Sequence, residues 1–326
     1  MAVTTFVSGA SGFVAQHIVK HLIEKGYNVV GSVRSELKGE NLKKNLGANF
    51  AYEIVEDLET VGAFDEALKK HPEVTVFLHT ASPASFEVED NERDIILPAI
   101  NGTINVLKAI KSSAPQVDKV VITSSIVTQI DFGDFSAAAS EDTWNTISHE
   151  SAVQSGRGAY AYSKTFAEKA AIDFVEKEKP HFTVSTVHPV LVLGPQAFDS
   201  EAKGELKSTC KMLSALLDLK TGDVPPAAFP FVDVRDVAAA HLIEIEKPSN
   251  GLRVIPYSGR FTNQSALNII NKHFPELNLI KGSPTENLTG GTPVNADKSR
   301  EYLGLTYISL EKTVVDTIKQ YLEVNK

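Results

Sequence analysis

Hydrophobic residues along the first 200 positions alternate between two patterns. Short continuous apolar runs are typical of strands buried on both faces, whereas apolar residues at every third or fourth position indicate helices. The strand-like runs are Thr4–Ser8, Asn28–Val33, Phe50–Val55, Val74–His79, Val117–Ser124 and Phe182–Leu193. The helical patterns include Phe13–Lys25, Ile96–Ser112 and Ala161–Glu176. Strands that alternate with helices predict an α/β fold built on a doubly wound parallel sheet.

The pattern changes after Gly194-Pro195. An insert at 196–228 has a helical centre, Leu206–Leu219, and is followed by a strand and helix at Phe231–Glu246 and a strand at Leu252–Tyr257. We predict a large domain formed by residues 1–194 and 229–258. Residues 195–228 and 259–326 are predicted to form a small, discontinuous lobe that binds the substrate.

Composition narrows the classes of function. The chain has 326 residues and a formal net charge of −9, and an acidic chain without a basic run binds nucleic acid or anionic membranes poorly. Its single cysteine, Cys210, excludes an internal disulfide framework and a multi-cysteine metal site. No apolar stretch reaches the roughly 18 residues needed to span a bilayer. We therefore expect a cytoplasmic protein with no metal, no nucleic-acid partner and no membrane partner.

A glycine-rich turn lies between the first strand and the first helix. The run Ser8-Gly9-Ala10-Ser11-Gly12-Phe13-Val14-Ala15 places small residues at 9, 12 and 15. Glycine permits a tight turn and close approach to a pyrophosphate, and the helix N-terminus favours phosphate through its N–H groups and its dipole. The turn predicts a Rossmann fold that binds a dinucleotide, and a purely structural turn is the alternative.

Two cations follow the second strand. An acidic residue at this place usually binds a free ribose 2′-hydroxyl, whereas this chain has Arg34 and, four residues on, Lys38. Both suit a 2′-phosphate, although Glu36 between them weakens the field. Asp57-Leu58, after the third strand, is a candidate for the adenine edge. The alternatives are a solvated arginine and a surface carboxylate.

A candidate catalytic group combines residues from two elements. Ser124-Ser125 follows the apolar run of the fifth strand, and ligands bind at the carboxyl ends of strands in such sheets. Tyr160 and Lys164 are four apart and therefore share a helical face. A nearby ammonium is expected to lower the pKa of the phenol, so that Tyr160 can protonate a carbonyl oxygen held by serine.

Several motifs in this order carry a resemblance over nearly the whole chain. They are SGASGFVAQHIV, VRSELK, LHTASP, LPAINGT, VVITSS, YAYSKTFAEKAA, HPVLVLGPQ and FVDVRDVAAAH. The chain resembles the extended short-chain dehydrogenases/reductases. Within them it is similar to the fungal NADPH-dependent carbonyl reductases of the methylglyoxal/isovaleraldehyde type, relatives of plant dihydroflavonol reductases.

This resemblance implies a role for each matching residue. Ser125, Tyr160 and Lys164 match the catalytic serine, acid and lysine, and Asn101 matches an asparagine that supports a proton-relay water. Lys164 is also expected to bind the nicotinamide ribose, and the Val192 backbone the carboxamide. The implied cofactor is NADP(H). Its predicted contacts are Gly9, Ala10, Ser11, Gly12, Phe13, Val14, Arg34, Lys38, Asp57, Leu58, Thr80, Ala81, Ser82, Tyr160, Lys164, Pro189, Val192 and Thr209.

The predicted substrate walls depart from the relatives, which often have aromatic residues there. This chain has Ala84, Ile126, Ile130 and Leu191, with Phe231 as a further candidate. Such walls favour apolar aldehydes and prochiral ketones or keto esters over sugars. Arg157 stands where relatives have a small apolar residue, and a solvent-facing side chain is the preferred interpretation.

The leading hypothesis is an NADPH-dependent carbonyl reductase whose partner is a small-molecule carbonyl substrate, acting as a monomer or homodimer. One alternative is a nucleotide-sugar epimerase or dehydratase, which usually has an acidic residue where Arg34 stands. Another is an NADP-binding regulator without turnover, which commonly lacks the tyrosine or the lysine. His17 and His21 are interpreted as helix-surface residues, and Cys210 as a buried thiol rather than a catalyst.

Overall fold

Parallel strands form the centre of the protein, whose computed structural model describes residues 3–82, 88–283 and 291–326. The strands in these residues are β1 Thr4–Ser8, β2 Asn28–Val33, β3 Phe50–Ile54, β4 Val74–His79, β5 Lys119–Thr123, β6 Thr183–Val187, β7 Leu191–Leu193, β8 Ala228–Asp233, β9 Arg253–Val254 and β10 Gly259–Thr262.

Seven of these strands make one sheet in the order β3-β2-β1-β4-β5-β6-β9, and every pairing in it is parallel. Phe6 of β1 pairs with Val30 on one side and Phe77 on the other. The strand order reverses at β1, so the loops after β1 and β4 diverge and open a crevice at the carboxyl edge. The predicted doubly wound sheet is confirmed.

Helices cover both faces of this sheet, and further helices lie beyond it. They are α1 Phe13–Glu24, α2 Glu36–Leu46, α3 Asp65–Lys70, α4 Leu97–Ser113, α5 His149–Ala152, α6 Gly156–Glu178, α7 Lys211–Leu217, α8 Val234–Glu246, α9 Asn263–His273, α10 Asp297–Leu303 and α11 Leu310–Val324. In the described part of the chain, no helix is both long enough and apolar enough to cross a membrane.

Large apolar side chains fill the two spaces between the sheet and its helices. On one face Phe6 stacks on Phe77 with ring centroids 4.9 Å apart, and Phe64 meets both rings edge-on. On the other face Ile18 of α1 and Leu242 of α8 pack in a common core cluster. This double-sided burial explains why the strands read as continuous apolar runs.

The run Phe182–Leu193, predicted as one strand, is divided into two strands that join different sheets, and this prediction is wrong. β6 stays in the large sheet, whereas β7 pairs with β8, which also pairs with β10, in a three-stranded sheet. Pro189 lies at the break and has no N–H for a ladder. Its carbonyl instead accepts a hydrogen bond from the Ile126 N–H at 3.1 Å.

The small sheet and the helices around it enclose a separate core. Leu193, Phe231 and Ile318 belong to this cluster, so β7, β8 and α11 are held together although they are far apart in sequence. Leu303 of α10 packs instead with the core of the large sheet. The predicted boundaries of the substrate lobe stay a prediction, and α10 is the element of 259–326 that packs elsewhere.

A buried ion pair fastens the last helix to the small sheet. Asp233 accepts from the Arg235 backbone N–H at 2.9 Å and from its Nη2 at 2.7 Å. Arg235 Nη1 reaches Asp316 of α11 at 2.6 Å, and the Thr313 hydroxyl donates to Asp233 at 2.8 Å. Because Asp233 is fully buried, this pairing fixes α11 against the start of α8.

Candidate active site

The glycine turn takes a shape that only glycine accommodates. Gly9 has φ +66°, and a Cβ at this position would lie 3.0 Å from both the Cα and the Cβ of Ala81. The Gly9 N–H donates to the Ser32 hydroxyl at 3.0 Å, and the Gly12 N–H donates to the Gly9 carbonyl at 2.9 Å. Gly12 is the N-cap of α1, so the free N–H groups of the first helical turn face the end of the crevice.

Ser8 joins the turn to the end of β4. Its hydroxyl shares a hydrogen bond of 2.9 Å with His79 Nδ1 and accepts from the N–H groups of Thr80 and Ala81 at 3.1 Å. The predicted contacts Thr80, Ala81 and Ser82 therefore lie beside Gly9 and remain partly exposed. Neither Ser8 nor His79 stands out in the sequence, because their pairing joins strands that are far apart in the chain.

Arg34 and Lys38 lie at the other end of the crevice, after β2 and in the first turns of α2. Both side chains are exposed, and among the described residues neither forms an ion pair. The structure thus leaves two cations free at the edge where the sequence predicts a 2′-phosphate.

The adjoining loop at 57–60 is shaped by its own side chains. The Asp57 carboxylate accepts from the Glu59 N–H at 2.9 Å and from the Thr60 hydroxyl at 3.1 Å. Asn105 of α4 donates to the carbonyls of Leu58 at 3.1 Å and of Glu59 at 2.7 Å. These bonds hold the predicted adenine pair, Asp57 and Leu58, at the crevice, and Asn105 is a buried determinant that the motifs did not reveal.

Asn101 is placed away from the other predicted catalytic residues. It is exposed on α4 and donates to the Glu59 carboxylate at 3.3 Å. Its neighbours Ala99 and Thr103 line a cavity beside Lys164, so Asn101, between them in the helix, lies on a different face. This placement does not support a relay role for Asn101, which stays a prediction.

Ser125 and Tyr160 meet at the carboxyl end of β5. Ser125 is buried and caps the 3₁₀ turn Ile126–Thr128, and α6 brings Tyr160 to its hydroxyl, with which it forms a hydrogen bond. Ser155 caps α6 by accepting a hydrogen bond from the Gly158 N–H at 3.1 Å. The helix therefore begins at Gly156, four residues before Tyr160.

Burial shifts the pKa values of Tyr160 and Lys164. It raises the pKa of Tyr160, and the hydrogen bond from Ser125 only partly opposes this rise. Burial also lowers the pKa of Lys164 to about 8. The Lys164 ammonium donates to the Thr123 carbonyl at 3.0 Å. The prediction of a lowered phenol pKa is wrong, because burial raises the pKa of Tyr160 more than its hydrogen bond with Ser125 lowers it.

A cavity lies behind Lys164 and contains further polar groups that the motifs did not single out. Glu168 lines it one turn beyond Lys164, and His79 lines it from β4. The Ser124 hydroxyl donates to Glu168 at 2.8 Å. Glu168 follows Lys164 by four residues, so its shared helical face was visible in the sequence, whereas its burial was not.

The strand β7 places Val192 and the residues predicted around it. Thr209 donates its hydroxyl to the Val192 carbonyl, which ties the 3₁₀ turn Ser208–Cys210 to β7. Pro189 is bound through its carbonyl to Ile126 at 3.1 Å. The cofactor contacts of Pro189, Val192 and Thr209 stay predictions.

The predicted substrate walls differ in their exposure. Ile126 and Phe231 are 6% and 4% exposed and pack in core clusters, whereas Ile130 and Leu191 remain partly exposed. Phe231 meets Phe261 edge-on with centroids 5.9 Å apart. Ala84 lies outside the described residues. Contact with substrate stays a prediction for all of these wall residues.

Three residues that were set aside in the sequence have ordinary positions. His17 is buried rather than on the helix surface and bonds the Pro195 carbonyl at 2.9 Å, so that interpretation is wrong. Cys210 is buried, its thiol donates to the Gly194 carbonyl at 3.1 Å, and burial raises its pKa to about 12. Arg157 is exposed.

Comparison with known families agrees with this arrangement. The model of the NAD dependent epimerase/dehydratase family matches residues 5–257. The match covers most of the chain and contains all four predicted catalytic residues, including Ser125, Tyr160 and Lys164.

Full-length relatives narrow the comparison. The NADPH-dependent methylglyoxal reductase of Saccharomyces cerevisiae is 41% identical over 337 residues, covering 98% of each chain. The structure of Gre2 of Candida albicans in complex with NADPH is 43% identical, with a TM-score of 0.94 over 99% of this chain and 100% of that one. A reductase engineered for asymmetric catalysis is 49% identical, with a TM-score of 0.95 and the same coverage.

Proposed function

Because the chain belongs to the NAD dependent epimerase/dehydratase family, we propose that it uses NADPH to reduce aldehydes and prochiral ketones, or keto esters, to alcohols. The observation that carries this function is the hydrogen bond between Ser125 and Tyr160, with Lys164 one turn further along the same helix face. A relative named as an NADPH-dependent reductase and the structure of another relative in complex with NADPH support the same activity.

The residues at the crevice fit NADP(H). The backbone at Gly9 approaches Ala81 so closely that a side chain would fill the cradle, and the exposed cations Arg34 and Lys38 suit a 2′-phosphate. The nicotinamide half of the cofactor would lie beside Thr80, Ala81 and Ser82. Lys164 would bind the nicotinamide ribose. When bound, the cofactor supplies the hydride.

The side chains supply the proton and hold the carbonyl. The Ser125 and Tyr160 hydroxyl groups are hydrogen-bonded to each other, so a carbonyl oxygen placed beside them can accept a hydrogen bond from each. Tyr160 then gives its proton to this oxygen as negative charge develops there. The raised pKa of Tyr160 keeps the phenol protonated at neutral pH, and the Lys164 ammonium stabilises the phenolate that remains.

The substrate class follows from apolar walls. Ile130 and Leu191 carry no polar group to pair with hydroxyls, and an unpaired sugar hydroxyl in such a pocket would cost about 1–3 kcal/mol. An apolar carbonyl compound avoids this cost and gains burial. Because the walls are chiral, one alcohol enantiomer is favoured.

The test is NADPH oxidation across a panel of aldehydes, ketones and keto esters, with a nucleotide sugar and NADH as comparisons. We expect the enzyme to reduce hydrophobic carbonyl compounds with NADPH. Analysis of the alcohol product should show one dominant enantiomer. Faster turnover of the nucleotide sugar, or no NADPH oxidation with any carbonyl, would overturn the proposal.

We also propose that the enzyme acts in the cytoplasm as a monomer or homodimer. The single cysteine, which is buried and free, suits a reducing compartment. Light scattering after gel filtration would give the mass, and a tetramer would contradict the assembly. Fractionation of the source cells would test the location.

A further inference from the structure

Glu168 is a carboxylate that the proposed reaction does not use, yet it is buried next to the residues that do. It is 2% exposed and lies one turn beyond Lys164 on α6. Both residues line the same cavity. A charge in such a place is costly unless it is paired and hydrogen-bonded, so its partners indicate its role.

Arg253 of β9 neutralises this carboxylate. Its Nε lies 2.7 Å from Glu168 Oε1, and its Nη1 donates to the carbonyls of Glu141 and Thr143 at 2.8 Å each. The guanidinium also lies over the Trp144 ring, 3.8 Å from its centroid. Arg253 is therefore fixed on several sides and in turn fixes the position of the carboxylate.

The second carboxylate oxygen holds the end of β5. Ser124 donates to Glu168 Oε2 at 2.8 Å, and Ser124 directly precedes Ser125 in the chain. His188 joins the same group, with Nε2 3.4 Å from Glu168 and Nδ1 3.3 Å from the Ser125 carbonyl. One buried carboxylate thus connects the strand that carries the serine with the helix that carries Tyr160 and Lys164.

We propose that Glu168 is a positioning residue of this site: it holds Ser125 in place through Ser124, and its negative charge keeps Lys164 in the ammonium form. This inference rests on the proposed reductase function. It assigns to the Glu168–Arg253 pair a task in the reaction besides its contribution to packing.

The charges around Lys164 favour this role. Burial lowers its pKa to about 8, and Glu168 is the group that opposes this shift. His79 faces Lys164 from β4, and burial lowers its pKa to about 3, so it carries no charge at neutral pH. Within the described residues, Glu168 is therefore the anion that compensates the ammonium.

The remaining neighbours do not replace it. His188 has its pKa lowered to about 4 by burial and is neutral at pH 7, while Arg253 is a cation. Tyr160 is protonated at neutral pH, because burial raises its pKa. Removing the charge of Glu168 would leave Arg253 and Lys164 as two cations near one cavity, which lowers the pKa of Lys164 further.

The test is the pH profile of kcat/KM for Glu168→Gln, with NADPH and an aldehyde that the wild-type enzyme reduces. Since the ammonium is the active form, activity falls as pH rises through the pKa of Lys164. We expect this alkaline limb to move down by about one pH unit or more. The matched control is Glu176→Gln, which removes an exposed carboxylate from the same helix and should leave the limb in place.

A purely structural role would lower activity equally at every pH, so a limb unchanged in Glu168→Gln would overturn the proposal. Should that variant not fold, Ser124→Ala tests whether Glu168 positions Ser125 through Ser124. We expect kcat to fall about tenfold, in the range of a lost charged hydrogen bond. The alkaline limb of the pH profile should stay in place. Normal kcat in Ser124→Ala would contradict it. If the wild-type enzyme reduces no carbonyl, the failure lies with the proposed function instead.

Discussion

The two ends of the crevice differ in how far their charged and titratable side chains are exposed to solvent. At the buried end, Tyr160 and Lys164 have pKa values shifted by burial, and their neighbours are fixed by hydrogen bonds. At the exposed end, Arg34 and Lys38 extend into solvent and pair with no described residue. In the proposed function, the buried end transfers a proton and the exposed end attracts a phosphate.

This difference shows what each task requires. Proton transfer depends on the pKa values of the groups involved, and burial and fixed neighbours set these values. Binding a phosphate needs accessible cations, whose contribution is screened by salt and varies little with pH. Changes at the buried end should therefore affect turnover and acid stability, and changes at the exposed end only cofactor affinity.

The largest effect we expect is acid destabilisation from the buried end. Burial lowers the pKa of His79 to about 3 and those of His188 and His241 to about 4, against 6.5 when unfolded. Stability from these residues is complete above pH 6.5 and is lost as pH falls toward 4. At pH 5, each of these histidines lowers the free energy of unfolding by about 2 kcal/mol, because it binds a proton only when the protein unfolds. Asp236, whose pKa burial raises to about 6, offsets part of this loss.

Denaturant titrations at pH 7 and pH 5 measure this effect. His241→Gln should flatten the pH dependence by about 2 kcal/mol, because glutamine keeps hydrogen-bonding capacity toward Thr123 and Val237 without a proton to gain. The matched control is His181→Gln, which changes an exposed histidine. An unfolding free energy that does not fall between pH 7 and pH 5 would contradict the buried, neutral histidines.

Next in size is the effect of removing the proposed proton donor. Tyr160→Phe keeps the ring but removes the hydroxyl, and we expect kcat to fall by about 10² or more. The affinity for NADPH should change little. Tyr162→Phe, two residues along the same helix, is the matched control. Steady-state kinetics and fluorescence titration separate the two quantities, and near-normal turnover would remove Tyr160 from its proposed role.

A smaller effect tests the exposed end. A charged hydrogen bond contributes about 1.5–3 kcal/mol, so Arg34→Ala should weaken NADPH binding by roughly one to two decades and leave NADH nearly unaffected. Lys43→Ala, also exposed on α2, is the control. Binding titrations with NADPH and NADH measure the two affinities. Equal losses of affinity for both cofactors would show that Arg34 stabilises the fold and does not bind the 2′-phosphate.

The smallest effect concerns the substrate wall. Ile126→Phe should reduce kcat/KM for a bulky ketone several-fold relative to a small one, because the larger ring narrows the pocket. Ile172→Phe, at an exposed position of α6, is the control. The ratio of kcat/KM for the two ketones is the measurement. An unchanged ratio would assign Ile126 to packing, in keeping with its burial.

Local motifs were enough to predict the elements that carry the glycine turn, Tyr160 and Lys164. Gly9 is needed for a positive φ, and Tyr160 and Lys164 share a face because they are four residues apart in a helix. These features depend on a few neighbouring residues. The alternating pattern likewise predicted the parallel sheet, since each strand and helix carries its own periodicity.

Features that depend on distant residues could not be predicted. Glu168 and Arg253 are 85 positions apart, and nothing in either neighbourhood indicates their pairing. The predicted direction of the Tyr160 pKa shift was wrong, because the sequence does not show that the phenol is removed from solvent by the fold. The run around Pro189 was assigned to one strand, since its apolar pattern continues through the break between two sheets.

The core of the small lobe bears on the order in which the molecule folds. Leu193, Phe231 and Ile318 come from distant stretches, and the entropy of closing such long loops is lost before their contact is gained. During synthesis the glycine turn and Tyr160 leave the ribosome long before Ile318 does. We therefore expect the nascent chain to assemble its large sheet first and to expose Leu193 and Phe231, as a target for chaperones, until the last helix docks.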